Sequence, residues 1–417
     1  MLSRALGRAG FLAALLSTAP VAAGTAGEEP PAEPAASKPP IDASLICPPG
    51  TRKQGAAPPD GHRLWCAKPD GTRHGPWRLF YEDTDTIRER GRYHRGRKTG
   101  HWTTWYRTGG KEQECDFVAD RKQGPGIVYH HNGNRKAKGH YERGEPHGSW
   151  TLWHVNGDKS AEGTFDHGRK VGQWTYYHIG SGLPARRGRY RDGEKVGRWV
   201  YWHKNGIKAL EGAFVAGEEH GPTTAWHPNG EKKTVGRYAH GKEQGRWIIF
   251  DREGRRYLEG RYADGLYEGV WRQYAPGGEV LVEMQFEHGT GDYLERWPDG
   301  QVKIRGHLVR NKRQGAWEMF YANGVRRQLA HYENGEKHGL LLRWTEDGRL
   351  GQRERYRHGE PHGPMESWHP NGVPRFSVYY QNGEQCGPWY TWDQNGELVR
   401  QKRWEPCSYQ RLGPSSK

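Results

Sequence analysis

A repeat of about 24 residues restricts the fold of this 417-residue chain more than any other feature of its sequence. One glycine per copy, often followed two positions later by tryptophan, serves as an anchor. The intervals between anchors are 24 or 25 residues, except for 22 residues between Gly269 and Gly291. The anchor glycines are Gly75, Gly100, Gly124, Gly148, Gly172, Gly197, Gly221, Gly245, Gly269, Gly291, Gly315, Gly339, Gly363 and Gly387. Such a period predicts a small unit stacked on copies of itself.

Each copy is predicted to be a pair of short β-strands. The pattern G-x-W-x-x-aromatic-x-x-N-G is followed by G-x-Y-x-x-G-x-x-x-G. Asn-Gly pairs such as Asn156-Gly157 favour type I′ hairpin turns, because both residues tolerate a positive φ. The 60 glycines disfavour helices, while 19 tryptophans and 22 tyrosines favour strands. We therefore predict an all-β fold, an elongated single sheet of tandem β-hairpin repeats.

The two rings of the W-x-x-W pattern leave one choice open. A spacing of three points the rings to opposite faces of a straight strand, whereas a β-bulge would bring them to one face. Glycines before a further aromatic column, such as Gly91 and Gly139, predict that a ring packs over bare backbone. Cys115 occupies the same slot and is interpreted as a small core residue. The short interval after Gly269 predicts a kink or bulge near residues 289–297.

The segments "GSWTLWHVNGDKSAEGTFDHG" and "GRWVYWHKNGIKALEGAFVAG" resemble MORN-type repeats, in the variant found in bacterial proteins classed as YwqK-family antitoxins. The resemblance extends over about residues 75–400. It implies tandem β-hairpins in a long curved or twisted sheet. It also implies a role in protein contacts, membrane association or scaffolding, and the class name implies that a partner toxin is neutralised by binding.

The segments outside the repeats predict an exported protein. Arg4 and Arg8, a short apolar run and the small residues after it predict a signal peptide over residues 1–23. We then predict a Pro/Ala-rich disordered linker at 24–46, a Cys-containing N-terminal cap at 47–74, the tandem repeats at 75–405 and a C-terminal tail at 406–417. The apolar run is too short to be a transmembrane segment. We therefore expect export to the periplasm or the extracellular space of a bacterium.

Four of the five cysteines are disulfide candidates. Cys47 and Cys66 precede the first repeat, and Cys386 and Cys407 surround the last. Disulfides persist in oxidising compartments, which fits an exported chain. Three pairings are possible, and proximity along the chain favours Cys47 with Cys66 and Cys386 with Cys407.

The 22 histidines recur in turn segments, as His154 does in H-x-N-G and His147 does before Gly148. Repeats two strands wide would place equivalent histidines ~9.6 Å apart, too far for adjacent repeats to share one ion. No H-E-x-x-H, G-x-S-x-G or phosphate-loop pattern occurs in the sequence. We therefore predict no catalytic residue, no metal site and no cofactor, and classify the chain as non-enzymatic.

The second ring of the W-x-x-W pattern is a possible binding platform, and the alternative is that it belongs to the core, since aliphatic residues are scarce. The candidate binding aromatics are Trp105, Trp153, Trp202, Trp226, Trp344, Trp368 and Trp392. The formal charge of +15 indicates either a solvated basic surface or a partner of opposite sign, such as an anionic surface.

These observations predict an exported scaffold that binds a protein partner or a cell-envelope polymer. One alternative is an antitoxin- or immunity-type protein that neutralises a toxin by binding. The other is a binding module for acidic glycans or anionic lipid. Nucleic acid is not expected as a partner.

Overall fold

The computed structural model describes residues 45–82 and 84–403. Within these ranges the chain forms 31 β-strands and no helix, so the predicted all-β fold of hairpin repeats is confirmed. The predicted signal peptide at 1–23, most of the linker at 24–46 and the tail at 406–417 lie outside the described residues. The described part of the chain contains no helix that is long and apolar enough to cross a membrane.

The first twenty strands form one sheet. They are β1 Arg52–Ala56, β2 Arg63–Ala67, β3 Arg73–Phe80, β4 Ile87–His94, β5 Arg97–Trp105, β6 Lys111–Val118, β7 Arg121–Tyr129, β8 Arg135–Glu142, β9 Glu145–Trp153, β10 Lys159–Asp166, β11 Arg169–Tyr177, β12 Pro184–Arg191, β13 Glu194–Trp202, β14 Lys208–Val215, β15 Glu218–Trp226, β16 Lys232–Ala239, β17 Lys242–Phe250, β18 Arg256–Ala263, β19 Leu266–Tyr274 and β20 Val280–Phe286. Each strand pairs antiparallel with the strands before and after it, as β5 does with β4 and β6. Each hairpin therefore contacts mainly the hairpins next to it in the sequence.

The remaining strands form a second sheet. They are β21 Gly291–Arg296, β22 Val302–Val309, β23 Lys312–Phe320, β24 Arg326–Glu333, β25 Glu336–Trp344, β26 Leu350–Arg357, β27 Glu360–Pro361, β28 Gly363–Trp368, β29 Pro374–Gln381, β30 Glu384–Trp392 and β31 Leu398–Arg403. The ladder predicted as a single sheet is thus divided between β20 and β21, where an isolated bridge joins Glu287 and Thr290.

This division has a cause in the sequence. Only Thr290 separates the turn glycine Gly289 from the anchor Gly291, whereas three residues separate Gly265 from Gly269 one repeat earlier. β21 therefore lacks residues equivalent to those that pair β19 with the end of β18. The irregularity predicted near residues 289–297 as a kink or bulge takes the form of a break between two sheets, before β21.

Side-chain amides join the two sheets across the break. Gln273 Nε2 donates a hydrogen bond to the carbonyl oxygen of Arg296 at 2.8 Å, and the Arg296 amide nitrogen donates to Gln273 Oε1 at 2.8 Å. Asn311 Nδ2 donates to the carbonyl oxygen of Gly265 at 2.8 Å, and Asn311 Oδ1 accepts from the amide of Tyr267 at 3.0 Å. Gln273 is 2% exposed, so its bonds are shielded from water. These contacts substitute for the missing part of the ladder.

The two edges of the ribbon carry different turns. The Asn edge holds the Asn-Gly turns, in which Gly133 has a φ of 86° and donates its N–H to the carbonyl of His130 at 2.9 Å. Asn132 has no positive φ, so the type I′ turn predicted for Asn-Gly is wrong: the glycine alone takes the left-handed position. Type I′ geometry occurs on the opposite edge, the type I′ edge, where Arg143 and Gly144 have φ values of 52° and 101°.

Hydrogen bonds between successive turns hold the repeats in register. On the Asn edge, Asn132 Nδ2 donates to the carbonyl oxygen of Val155 in the next repeat at 2.7 Å. On the type I′ edge, the amide of Gly144 donates to the carbonyl oxygen of Lys122 in the preceding repeat at 2.8 Å. Both bonds satisfy turn groups that a lone hairpin would leave to water.

One face of the ribbon, the inner face, carries the core. The first tryptophan of the pattern is only 0–5% exposed in eight repeats, at Trp77, Trp102, Trp150, Trp174, Trp199, Trp247, Trp271 and Trp317. These rings pack edge-to-face against rings of the neighbouring hairpins, as Trp102 does against Tyr93 and Phe117 with centroids 5.2 and 5.9 Å apart. A chain poor in aliphatic residues thus builds its core from a row of alternating rings.

Every buried tryptophan of this row except Trp77 lies on the backbone of a glycine in the preceding strand. A Cβ added to Gly91 would overlap the ring of Trp102, and one added to Gly188 would overlap the ring of Trp199. The predicted packing of a ring over bare backbone is therefore confirmed. A basic side chain then covers the ring from the strand edge, as Lys98 does with its Nζ 4.1 Å from the Trp102 ring centroid.

Candidate functional site

The second ring of the W-x-x-W pattern lies on the opposite face, the outer face. Trp199 and Tyr201 are buried on the inner face, while Trp202 alternates with them and is half-buried. The β-bulge that accompanies the Asn-edge turn falls in the partner strand, where Ala209 is left without a register partner on β13. Of the two arrangements that the sequence allowed, the structure has the rings on opposite faces.

All seven tryptophans predicted as a binding platform are half-buried: Trp105, Trp153, Trp202, Trp226, Trp344, Trp368 and Trp392. Trp174 and Trp199 on the inner face are fully buried by comparison. At two strands per repeat, successive outer rings are spaced by ~9.6 Å along the ribbon. The structure therefore assigns the core to one aromatic column and leaves the other partly accessible.

Charged side chains surround the outer rings. Tyr177 Oη donates to Glu162, and Glu162 also accepts from Lys159 Nζ at 2.8 Å. Hydrogen bonds from Lys159 and Tyr177 lower the pKa of Glu162, while burial and the bond to Glu162 raise the pKa of Tyr177 to about 12. In another repeat, Lys208 Nζ lies 5.6 Å from the centroid of the Trp226 ring. The outer face thus offers flat rings beside alternating charges.

Three exposed arginines, Arg189, Arg237 and Arg261, follow the middle of the outer face and are called the arginine stripe. Arg198 and Arg246, on strands beside them, are each paired with a glutamate. No such ion pair is found for the arginine stripe among the described residues. Its uncompensated charge creates a positive potential on the face that carries the half-buried rings.

The histidines of the Asn edge have a structural role. His203 Nε2 lies 2.9 Å from the carbonyl oxygen of Trp226 in the next repeat. The same contact recurs at His130, His154, His178, His203, His227 and His369. Tyrosine replaces this histidine in other repeats, as at Tyr106, whose Oη donates to the carbonyl of Tyr129 at 2.7 Å. The recurrence of H-x-N-G therefore reflects a bond between repeats.

Histidines of adjacent repeats do meet on the type I′ edge, so the expectation that they lie too far apart to share one ion is wrong there. The ring centroids of His147 and His167 are 5.0 Å apart, and those of His338 and His358 are 4.9 Å apart. The ~9.6 Å estimate applies to one position in successive repeats. Here a strand residue faces the turn residue 20 positions later. With one glutamate each, two groups have their possible ligand atoms within 4.8 Å of one another: Glu142, His147 and His167, and Glu333, His338 and His358.

The cysteines divide into paired and free residues. Cys47 and Cys66 are joined by a disulfide. Cys386 is buried and disulfide-bonded, and Cys407, its predicted partner, lies outside the described residues. Cys115 is free and 3% exposed, and burial raises the pKa of its thiol. A buried, protonated thiol is chemically inert, which agrees with the interpretation of Cys115 as a core residue.

A groove of about 710 Å³ interrupts the inner face near its C-terminal end. Val378 stands there at the position where most repeats have glycine, and Trp389 is half-buried instead of fully buried. Phe376 and Met365 line the same groove. The groove therefore follows from a repeat in which the ring has no bare backbone to lie on.

Two segments of the chain, residues 313–334 and 361–382, match the family of the MORN repeat variant. The first covers most of β23 and β24, and the second covers β28 and β29. These hairpins are therefore similar to MORN repeats, which supports the MORN-type resemblance but not the narrower YwqK group. No curated protein matches the chain.

Solved structures give only distant likenesses. The crystal structure of TcdB2-TccC3-Cdc42 is 10% identical with a TM-score of 0.15, over 84% of this chain and 25% of that chain. TcdB2-TccC3 without its hypervariable C-terminal region is 12% identical with a TM-score of 0.15, over 81% of this chain and 19% of that chain. The chain thus spans about a quarter or less of these proteins, and no functional conclusion follows at these scores.

Proposed function

We propose that this chain is a non-enzymatic, exported scaffold that binds an acidic protein or an acidic cell-envelope component along its outer face. MORN repeats are commonly binding or scaffold modules, and two hairpins of the chain match their variant. The side chains that recur from repeat to repeat take part in packing, in turns or in bonds between repeats, which favours a binding role over catalysis.

One observation carries the proposal: half-buried rings and the arginine stripe share the outer face. A ring that keeps part of its surface in water can be covered further when a partner binds, and its apolar area then contributes to affinity. The unpaired charges of Arg189, Arg237 and Arg261 would attract an acidic partner and orient it.

Regular spacing determines how such a partner would be held. Each repeat offers one ring and its charged neighbours, so single contacts are weak and a long partner engages many at once. Linked weak contacts give a high overall affinity because every contact after the first is intramolecular. An extended acidic partner therefore fits the ribbon better than a small ligand does.

The test measures which components of the source cell envelope bind to the purified mature chain, at low and at high salt. The variant R189Q/R237Q/R261Q should lower the affinity roughly tenfold, since each lost charge contact is worth a fraction of a kcal/mol. The matched control R97Q/R169Q/R191Q removes the same charge from exposed arginines beside the type I′ turns. Equal binding by both variants would refute the role of the outer face.

Two alternatives have observations in their favour. The arginine stripe would also suit acidic glycans or anionic lipid, in which case vesicles of anionic lipid or a purified acidic glycan should bind with a strong salt dependence. The resemblance of the repeats to those of YwqK-family antitoxins favours an immunity role. The immunity role would be favoured over the scaffold role by two results together. The chain would bind one protein toxin at equal stoichiometry and independently of salt, and it would protect sensitive cells.

Export is part of the proposal. The disulfide between Cys47 and Cys66 is compatible with an oxidising compartment. Fractionation of source cells should place the chain outside the cytoplasm, and its N-terminus should begin after residue 23. A full-length cytoplasmic chain with reduced Cys47 would contradict this part.

A further inference from the structure

We propose that the type I′ edge binds divalent transition-metal ions at two places, called the edge sites. The first edge site consists of Glu142, His147 and His167, and the second consists of Glu333, His338 and His358. Imidazole nitrogens and carboxylate oxygens are the usual protein ligands of Zn²⁺ outside cysteine sites. Both groups sit at the surface, so an ion can reach them from solvent.

The two edge sites share one sequence pattern. The segment "HYERGEPHG" ends at Gly148, and "HYENGEKHG" ends at Gly339. In both, the glutamate stands five residues before the first histidine, and the second histidine follows 20 residues after the first. The type I′ turn of the next hairpin brings that second histidine back to the first. An ion bound there would connect two consecutive repeats.

In the first edge site, the two ring nitrogens of His147 face two different carboxylates. His147 Nε2 lies 3.5 Å from a carboxylate oxygen of Glu142, and His147 Nδ1 lies 3.4 Å from Asp166. His147 Nδ1 is shielded from water yet makes no hydrogen bond with the described residues. One repeat earlier, Gln123 at the equivalent position accepts a hydrogen bond from the amide of Arg143 at 3.0 Å. An ion held by Glu142 would bind Nε2 of His147, the nitrogen that faces this carboxylate, and Asp166 beside Nδ1 would orient the ring.

The second edge site has a different charge immediately before its second histidine. His338 Nδ1 lies 3.3 Å from a carboxylate oxygen of Glu333. Arg357 precedes His358 at the position that Asp166 holds before His167. A carboxylate near a cation stabilises it and a guanidinium repels it, so the first edge site should bind a metal ion more tightly than the second.

A third histidine pair provides an internal control. The ring centroids of His220 and His240 are 5.3 Å apart, in the same arrangement as the two edge sites. Val215 replaces the glutamate of the edge sites, and Ala239 replaces Asp166. We expect this pair not to retain an ion, and Val215→Glu should convert it into a further site.

The experiment measures zinc binding to the full chain, purified without a histidine tag and stripped with a chelator. Equilibrium dialysis against Zn²⁺ and metal analysis should give two zinc ions per chain. His147→Ala and His338→Ala should each remove one, and the double variant should remove both. These side chains are about a third exposed or more, so the variants should keep their β-sheet circular dichroism spectra.

Two charge changes sharpen the result. Asp166→Arg should weaken the first edge site, and Arg357→Asp should strengthen the second, each by roughly tenfold. Val215→Glu should raise the zinc content above that of the unmodified chain. The proposal is overturned if the unmodified chain retains no zinc, or if the double histidine variant retains as much as the unmodified chain.

Discussion

Cys115 and Gly126 are cross-strand partners that exchange the sizes normally found at their two positions. Most repeats have glycine where Cys115 stands and a large ring where Gly126 stands. A Cβ added to Gly126 would lie 3.5 Å from the Cβ of Cys115. A smaller compensation occurs in the second sheet, where Ala330 replaces the glycine and Leu341 replaces the ring, and these residues are 0% and 1% exposed. A change in the size of one side chain at this cross-strand contact is thus accompanied by a change in the size of its partner.

The first prediction compares this slot in two neighbouring repeats. Gly188→Ala should lower the free energy of unfolding by about 2–3 kcal/mol, because its Cβ would overlap the buried ring of Trp199. Gly212→Ala should cost less than about 1 kcal/mol, since its nearest neighbour is the Thr223 hydroxyl at 3.2 Å. Urea unfolding followed by tryptophan fluorescence measures both. Equal losses would show that the cost lies in the backbone, not in the ring.

The second prediction concerns the bonds between repeats on the Asn edge. His203→Ala should lower the free energy of unfolding by about 1 kcal/mol, because the carbonyl oxygen of Trp226 loses its donor. His203→Tyr should restore most of that loss, since tyrosine makes this bond in other repeats, as Tyr106 and Tyr321 do. Thermal unfolding of the two variants gives the comparison. A tyrosine variant as unstable as the alanine variant would contradict the hydrogen-bonding role.

The third prediction concerns the junction between the two sheets. Asn311→Ala removes two hydrogen bonds, to Gly265 and from Tyr267, and should cost about 2 kcal/mol. It should also separate the unfolding of the second sheet from that of the first. Asn334→Ala is the control, because Asn334 also has a positive φ in a type I′ turn, while its side chain makes no such bonds with the residues that the structure describes. Calorimetry should show two transitions for the first variant and an unchanged profile for the second.

The fourth prediction is a dependence on pH. Burial and its bond to Glu162 raise the pKa of Tyr177 to about 12, above the value near 10 of an unfolded tyrosine. The folded-state pKa is the higher one, so the interaction stabilises the fold fully below about pH 10 and is lost as the pH rises through about 12. The absorbance difference between the unmodified chain and Tyr177→Phe reports the Tyr177 phenolate, and it should therefore appear near pH 12. Glu162→Gln should move that transition toward pH 10, and an absorbance difference already centred near 10 in the unmodified chain would refute the assignment.

Much of the fold could be predicted because the repeat dictates it. The period, the strand pairs and the glycine beneath each ring all follow from local spacing. The short interval after Gly269 located an irregularity, but the division into two sheets was not predicted. The assignment of the two rings to faces did not follow, because it depends on which strand of the hairpin takes the bulge. The structure places that bulge at residues such as Ala209, opposite the aromatic strand. No residue type in the pattern distinguishes the two choices.

The candidate sites were less predictable than the fold. The histidines of the Asn edge could have been recognised from their replacement by Tyr81, Tyr106 and Tyr321, since both side chains can donate a hydrogen bond to a carbonyl. The approach of His147 to His167 could not, because the distance estimate compared equivalent positions. Only the return of the chain in a type I′ turn makes a strand residue and a turn residue neighbours.

The sequence separation between contacting residues also bears on how such a chain can evolve. A ring lies on the glycine eleven positions before it, as Trp199 does on Gly188, and a turn asparagine bonds a carbonyl 23 positions after it, as Asn205 does at Pro228. Recombination that copies or deletes one whole period therefore leaves every remaining partner in place. The interval of 22 residues before Gly291 shows the effect of a shortened period, since the ladder ends there. Descendants of this chain should differ in length mainly by whole periods, and the break should be where other insertions are tolerated.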